Sequence, residues 1–206
     1  MASVNVCVIY YSATGNLHTM ALAAAEGAHR AGASVRVRKV RELAPPEAVE
    51  SVPAWARHLQ DTADIEEAAL DDLSWADALL FGTPTRFGNV CSQLKAFIDT
   101  TGGLWQAGAL ADKVVSAFTA TGTAHGGQES TILALSNTFY HWGAIIVPPG
   151  YTDPVQFRTG NPYGTSHVTG VGGSAGGPTE TVLQAARHQA RRVTETAAAL
   201  KAGRAA

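Results

Sequence analysis

The segment VNVCVIYYSATGN, Val4 to Asn16, changes character in mid-course. Val4, Val6, Val8 and Ile9, with Tyr10 and Tyr11, make a near-continuous apolar run of the kind that suits a strand buried on both faces of a parallel sheet. The chain then breaks into Ser12, Ala13, Thr14, Gly15 and Asn16 before helix formers take over from Leu17 to Ala31. Two hydroxyls, a flexible glycine, an amide and the free N–H groups of a helix start together favour an anion. The loop holds no Lys or Arg, so it would grip a phosphate with neutral donors alone. An ordinary strand-to-helix turn with its N-cap uses the same residue types, so this loop by itself leaves phosphate binding and plain capping open. It is not a Walker loop, and it lacks the three spaced glycines of the dinucleotide fingerprint.

The surrounding chain follows a repeating plan. Met20, Leu22, Ala24 and Ala28 supply a core face for the first helix, which Gly32 ends. Ala33 to Val40 alternates as a second strand. Pro45 and Pro46 open an irregular region to about Glu67, where Trp55 and Leu59 allow a helical turn or more but Pro53 argues against a long element. A turn at Leu73 to Ala78 leads into a third strand, Ala78 to Gly82, which ends in TPTRFGNV with Pro84 expected to stop the ladder and Gly88 expected to take an unusual backbone angle. A helix from Ser92 to Thr101, an exposed Leu104-Trp105, a fourth strand from Lys113 to Thr119, a helix from Glu129 to Trp142 and a fifth strand from Ala144 to Val147 follow. Gly150 to Gly177 has little periodicity and is too long for a simple connection. A long Ala-rich helix from Thr179 to about Lys201, capped at Pro178-Thr179, closes the chain.

Alternating strands and helices argue for an α/β fold, a doubly wound parallel sheet of five strands with helices on both faces, in one domain over residues 1–206. Ligands of such sheets sit beyond the carboxyl ends of the strands. SATGN, TPTRFGN and TATGTAHGGQ all follow predicted strands at that edge. A loop favouring phosphate, a loop carrying Arg86 and Phe87, and a loop rich in Gly and Thr would together bind a planar ligand with a phosphate tail.

Composition narrows the classes further. The 206 residues are 46% hydrophobic and 16% charged with a formal net charge of -2, which gives no reason to expect nucleic acid or an anionic membrane as partner. Cys7 and Cys91 form neither a disulfide framework nor a zinc pattern, no metal site is expected, and both read as small core residues suited to a reducing cytosol. No signal peptide and no bilayer-spanning apolar stretch is seen, so a cytoplasmic protein is expected.

YYSATGN followed by HTMA, FGTPTRFGN, TGGLW, TGTAHGGQE and NPYGTSHVTG resemble the WrbA family of flavodoxin-like NAD(P)H:quinone oxidoreductases. The resemblance runs in order through nearly the entire chain, and only Pro45 to Asp72 looks individual. It implies FMN as cofactor, NADH or NADPH as reductant, a quinone as substrate and a homotetramer whose subunits share each site. It places Ser12, Ala13, Thr14, Gly15, Asn16 and Leu17 in the phosphate loop, with Ser12, Thr14 and Asn16 as donors. Pro84, Thr85, Arg86, Phe87 and Gly88 match the loop along the isoalloxazine ring. Ala120, Thr121, Gly122, Thr123, Ala124, His125, Gly126 and Gly127 match the loop on the other side of the ring's polar edge. His141 matches a histidine that reaches a neighbouring subunit's flavin, and Trp105 an aromatic lining the quinone pocket across a subunit contact. Thr14 stands where several members carry an aromatic residue, and His125 has no counterpart in members with a shorter loop.

The implied chemistry is ping-pong, with hydride passing from NAD(P)H to the flavin and two electrons from the flavin to the quinone. Arg86 would stabilise the charge that builds at the ring's polar edge on reduction, unless it is a surface arginine paired with a carboxylate. Trp105 lines the substrate pocket or caps a helix; His125 donates a proton or makes a neutral hydrogen bond; Tyr163 packs or lines the pocket. The rival readings are a flavodoxin-type single-electron carrier and a non-enzymatic regulatory binding partner. A serine hydrolase is excluded because no G-x-S-x-G elbow surrounds Ser12.

Overall fold

The computed structural model describes residues 3–204. In chain order its elements are β1 (Val4–Tyr10), α1 (Asn16–Arg30), β2 (Ala33–Lys39), α2 (Pro46–Glu50), α3 (Pro53–Asp61), α4 (Leu70–Trp75), β3 (Ala78–Arg86), β4 (Asn89–Val90), α5 (Ser92–Asp99) and α6 (Gly102–Gln106). There follow β5 (Val114–Thr121), α7 (Gln128–Trp142), β6 (Ile145–Ile146), α8 (Pro154–Thr159), β7 (Ser166–Val168) and α9 (Glu180–Arg204). The parallel strands run in the order β2-β1-β3-β5-β6, the flavodoxin-like arrangement, and the direction of winding reverses between β1 and β3.

All five expected strands are present, and two short ones join them. β7 pairs parallel with the end of β5 through Thr119, Ala120 and Thr121, and β4 pairs antiparallel with the end of β3. β7 and α8 both come from the Gly150 to Gly177 segment, whose weak periodicity hid them.

The prolines act differently from expectation. Pro46 and Pro53 stand at the first positions of α2 and α3, where a missing N–H costs nothing, so the region beyond Pro45 is helical and α3 runs to Asp61. Leu73, expected in a turn, lies within α4. Pro84 does not stop the ladder: it pairs opposite Ala120, and β3 continues to Arg86. The Gly82 carbonyl accepts from the Tyr11 N–H, so the nitrogen two residues on faces the same side, beyond the end of β1, where no acceptor waits.

The alternation of β1 divides the core. Val4, Val6, Val8 and Tyr10 pack with Met20, Ala24 and Ala28 of α1 and with Ala190, Val193 and Ala197 of α9. Cys7, Ile9 and Tyr11 face the other layer, with Leu94, Ile98, Leu135 and Phe139 of α5 and α7. Leu22, expected in the core face of α1, is instead exposed. Both cysteines are free and fully buried as expected, and burial pushes the Cys7 thiol up to about 12. On α9, the buried Gln189 donates to Ser116 Oγ (2.7 Å) and the Ala117 carbonyl (2.8 Å) and accepts from the Thr165 N–H (2.8 Å), stitching the last helix to β5 and to the approach to β7.

α1 and α9 approach closely at Gly27, where a Cβ would stand 2.3 Å from the Arg187 carbonyl oxygen. Alanine would gain about 1 kcal/mol in helix propensity. Forcing backbone apart costs about 1–3 kcal/mol. Gly27→Ala is therefore expected to lower stability by up to about 2 kcal/mol, read as a lower urea midpoint at unchanged slope.

Candidate active site

The site grows from the carboxyl ends of three adjacent strands. Tyr10 of β1 lies opposite Gly82 of β3, and Gly82 opposite Phe118 of β5, so the chain leaves all three strands at one rim. Ser12, Ala13, Thr14, Asn16 and Leu17 from the first loop, Pro84, Thr85 and Arg86 from the second, and Ala120, Thr121 and Gly122 from the third line one cleft of about 210 Å³. Thr169, which the sequence reading left without a role, completes the lining. It arrives because β7 pairs with β5, and its N–H donates to the Thr121 carbonyl at 2.8 Å.

The first loop presents donors and no charge. Gly15 precedes α1 in the left-handed region (φ 96°), its N–H bonded to Ser12 Oγ at 3.0 Å. No side chain caps this helix, so the first-turn N–H groups of a fifteen-residue helix face the rim without a cap acceptor. Ser12 thus makes the turn contact that the plain reading allows, while no side-chain cap bond is made at Gly15. The preceding Tyr11 is held by Glu42, whose carboxylate accepts from Tyr11 Oη (2.8 Å), Trp55 Nε1 (3.0 Å) and Gln93 Nε2 (3.0 Å). Burial works to raise the Glu42 pKa, but these donors and the Ala44 N–H outweigh it and keep the carboxyl below its ordinary value.

The second loop is a two-residue hairpin. Arg86 pairs with Asn89, and between them Phe87 (φ 54°) and Gly88 (φ 76°) both take left-handed angles, as a tight hairpin turn requires. The angle at Gly88 was expected; that at Phe87 was not, since a bulky side chain rarely adopts it. The Phe87 ring is 101% exposed. Thr85 anchors the hairpin: its Oγ1 accepts from the Gly88 N–H (3.2 Å), lies 2.7 Å from Thr131 Oγ1 and donates to the Gly126 carbonyl at 3.3 Å. Arg86 is exposed, folds back to its neighbour's carbonyl at 3.0 Å and, among the described residues, forms no ion pair with a carboxylate.

The third loop divides. Thr121 is fixed by Gln128 Nε2 (3.1 Å) and by its own bond to the Thr123 carbonyl (2.7 Å). Thr123, Ala124 and His125 are exposed and stand outside the cleft lining. Gly127 is packed too tightly for a side chain, since a Cβ there would stand 2.8 Å from the Gly88 Cα, so loops two and three touch through glycines; a Cβ on Gly126 would be a tight fit, 3.0 Å from the Thr121 Cβ.

Trp105 and His141 meet each other but not the cleft. Trp105 Nε1 donates to the His141 carbonyl at 2.8 Å, and both line a shallow groove beside α5 and α7. The groove runs along α7 from Ala134 to Trp142, and His141 stands near the end of that helix, roughly 20 Å along its axis from Gln128 beside the third loop. Tyr163 is also outside the cleft lining.

Comparison with known proteins matches this geometry. The family model for NADPH-dependent FMN reductase matches residues 4–154. A relative from Deinococcus radiodurans, named NAD(P)H dehydrogenase (quinone), is 46% identical over 97% of this chain and 98% of its own length. One of the same name from Paracoccus denitrificans is 46% identical over 97% of both chains. Among solved structures, the flavodoxin, WrbA-like protein from Agrobacterium tumefaciens superposes with a TM-score of 0.65 at 25% identity, over 95% of this chain and 98% of that one. An archaeal flavodoxin with a TM-score of 0.59 and 18% identity, over 94% of this chain and 99% of its own, shares the fold. With a family model spanning most of the chain and near full-length relatives well above 40% identity, this protein belongs to the NADPH-dependent FMN reductase family, among its WrbA-like, flavodoxin-fold members.

Proposed function

We propose that this protein is an FMN-dependent NAD(P)H:quinone oxidoreductase that reduces quinones to quinols by two electrons. The observation that carries the reading is the uncapped start of α1 opening into a cleft that three strand-end loops close. Family membership and the relatives' name, NAD(P)H dehydrogenase (quinone), supply the substrates. The donor set fits a flavin mononucleotide: neutral N–H groups and hydroxyls for the phosphate, and an unpaired guanidinium nearby for the ring's polar edge.

FMN bound there supplies hydride acceptance and two-electron delivery. The chain's own contribution is to bind and orient. In this reading Ser12, Thr14, Asn16 and the first-turn N–H groups of α1 hold the phosphate; Pro84 to Gly88 run along the ring; and Ala120 to Gly127 flank its other side. Thr85 keeps the hairpin in register through its bonds to Gly88 and the third loop. Arg86, with no carboxylate partner to give up, offers positive charge where negative charge develops on reduction. One cleft serves both substrates in turn, which gives ping-pong kinetics.

Trp105 and His141 serve a neighbouring subunit's cleft in this reading, since their own is far off. A homotetramer provides such neighbours, and the exposed Trp105 (54%) gives the groove apolar surface for a partner to cover. No helix among the described residues is long and apolar enough to cross a membrane, and we place the enzyme in the cytoplasm.

The purified chain is expected to bind FMN and to reduce benzoquinone with NADH or NADPH; no turnover with FMN supplied would overturn the assignment. Arg86→Ala is expected to lower kcat by about tenfold or more at unchanged protein yield. Trp105→Ala is expected to raise the quinone KM several-fold, and an unchanged KM would put this side chain outside the pocket.

A further inference from the structure

The phosphate loop carries no cation of its own, yet basic groups stand directly behind it. His18 lies in the first turn of α1, and its Nδ1 is 2.6 Å from Tyr10 Oη at the end of β1. The His58 ring of α3 packs against it with centroids 5.5 Å apart, and His58 Nδ1 is 3.5 Å from where a Cβ on Gly15 would stand. Lys39, paired in register with Tyr10, lies close enough for its charge to act on both imidazoles, and its Nζ bonds the Thr62 carbonyl rather than a carboxylate.

We propose that His18 and His58, backed by Lys39, form a titratable counter-charge for the FMN phosphate, so that the loop's grip tightens by taking up protons. The inference rests on the FMN reading above. Burial, and for His58 also its neighbour His18, together with Lys39, hold both imidazoles below their ordinary pKa, which leaves them mostly neutral at pH 7 without ligand. A phosphate dianion placed at the loop acts the other way and raises both. The remaining charged groups around the pair do not remove the effect. Asp61 raises His58 but is outweighed; Glu42 is saturated by its own donors; Arg41 and Glu67 line the neighbouring pocket with opposite signs. Because the bound pKa values exceed the free ones, the added affinity is fully present below the free values. It is lost as pH rises through the bound values.

The test is calorimetric titration of the full chain, freed of flavin, with FMN and with riboflavin, at about pH 7 in buffers of different ionisation enthalpy. There the free phosphate is already largely dianionic, so it has few protons to release. FMN binding is expected to take up protons and riboflavin binding to take up none. FMN affinity in the protein is expected to gain about tenfold, relative to His18→Gln/His58→Gln, between about pH 8 and about pH 6. FMN binding without proton uptake, or an identical pH profile in the double variant, overturns the inference. Failure of FMN to bind at any pH overturns the cofactor reading instead. Should the double variant not fold, the sign of proton exchange in the unaltered chain decides alone.

Discussion

Tyr10, Gly82 and Phe118 lie in one row across three parallel strands, and that row sets where every loop of the cleft begins. The spacing tolerates no side chain in the middle: a Cβ on Gly82 would stand 2.4 Å from the Phe118 ring and 3.0 Å from the Tyr10 Cβ. Glycine there lets two aromatic residues close over the central strand and seal the core just beneath the rim. Shift one strand by a residue and its loop would leave from the opposite face, since side chains alternate with a period of two. The register is therefore as much a part of the site as any residue that lines it.

Above that row the protein holds its loops through polar contacts among themselves. Thr85 ties the hairpin to Gly126 and α7, Thr121 receives Gln128, and Thr169 closes on the Thr121 carbonyl. Such contacts between partly buried polar groups keep the walls fixed, while the inner surface they surround is left with unmatched N–H donors. A wall that is satisfied and a floor that is not make a rigid receptacle with an appetite for an anion.

Much of this was legible because it is local. The apolar run before Ser12, the alternation of Ala33 to Val40 and the loops after three strands each announce themselves within a window of about ten residues. What stayed hidden depends on distant pairing. β4 and β7 are two and three residues long, too short for any period, and exist because β3 and β5 offer edges to them; with β7 comes Thr169. Pro46, expected to open an irregular region, and Pro84, expected to stop the ladder, differ from expectation for a related reason. A proline's effect depends on whether its nitrogen faces an acceptor, and only the assembled structure tells which side it faces. The left-handed angle at Phe87 has no signal in the residue itself, because the two-residue turn imposes it. Trp105 and His141, each named separately in the sequence, meet each other through the Trp105 Nε1 to His141 carbonyl bond, and within one chain both stand outside the cleft lining.

The buried thiols bear on how such an enzyme would survive its own chemistry. Quinones are electrophiles that alkylate cysteine through the thiolate, and they do so fastest where that anion is exposed and stabilised. Cys7 and Cys91 show no accessible surface, and burial raises both pKa values, so neither offers a nucleophile to a quinone that strays from the cleft. A protein proposed to reduce these compounds thus presents them no thiolate target, and its cysteines would resist alkylation by its own substrate.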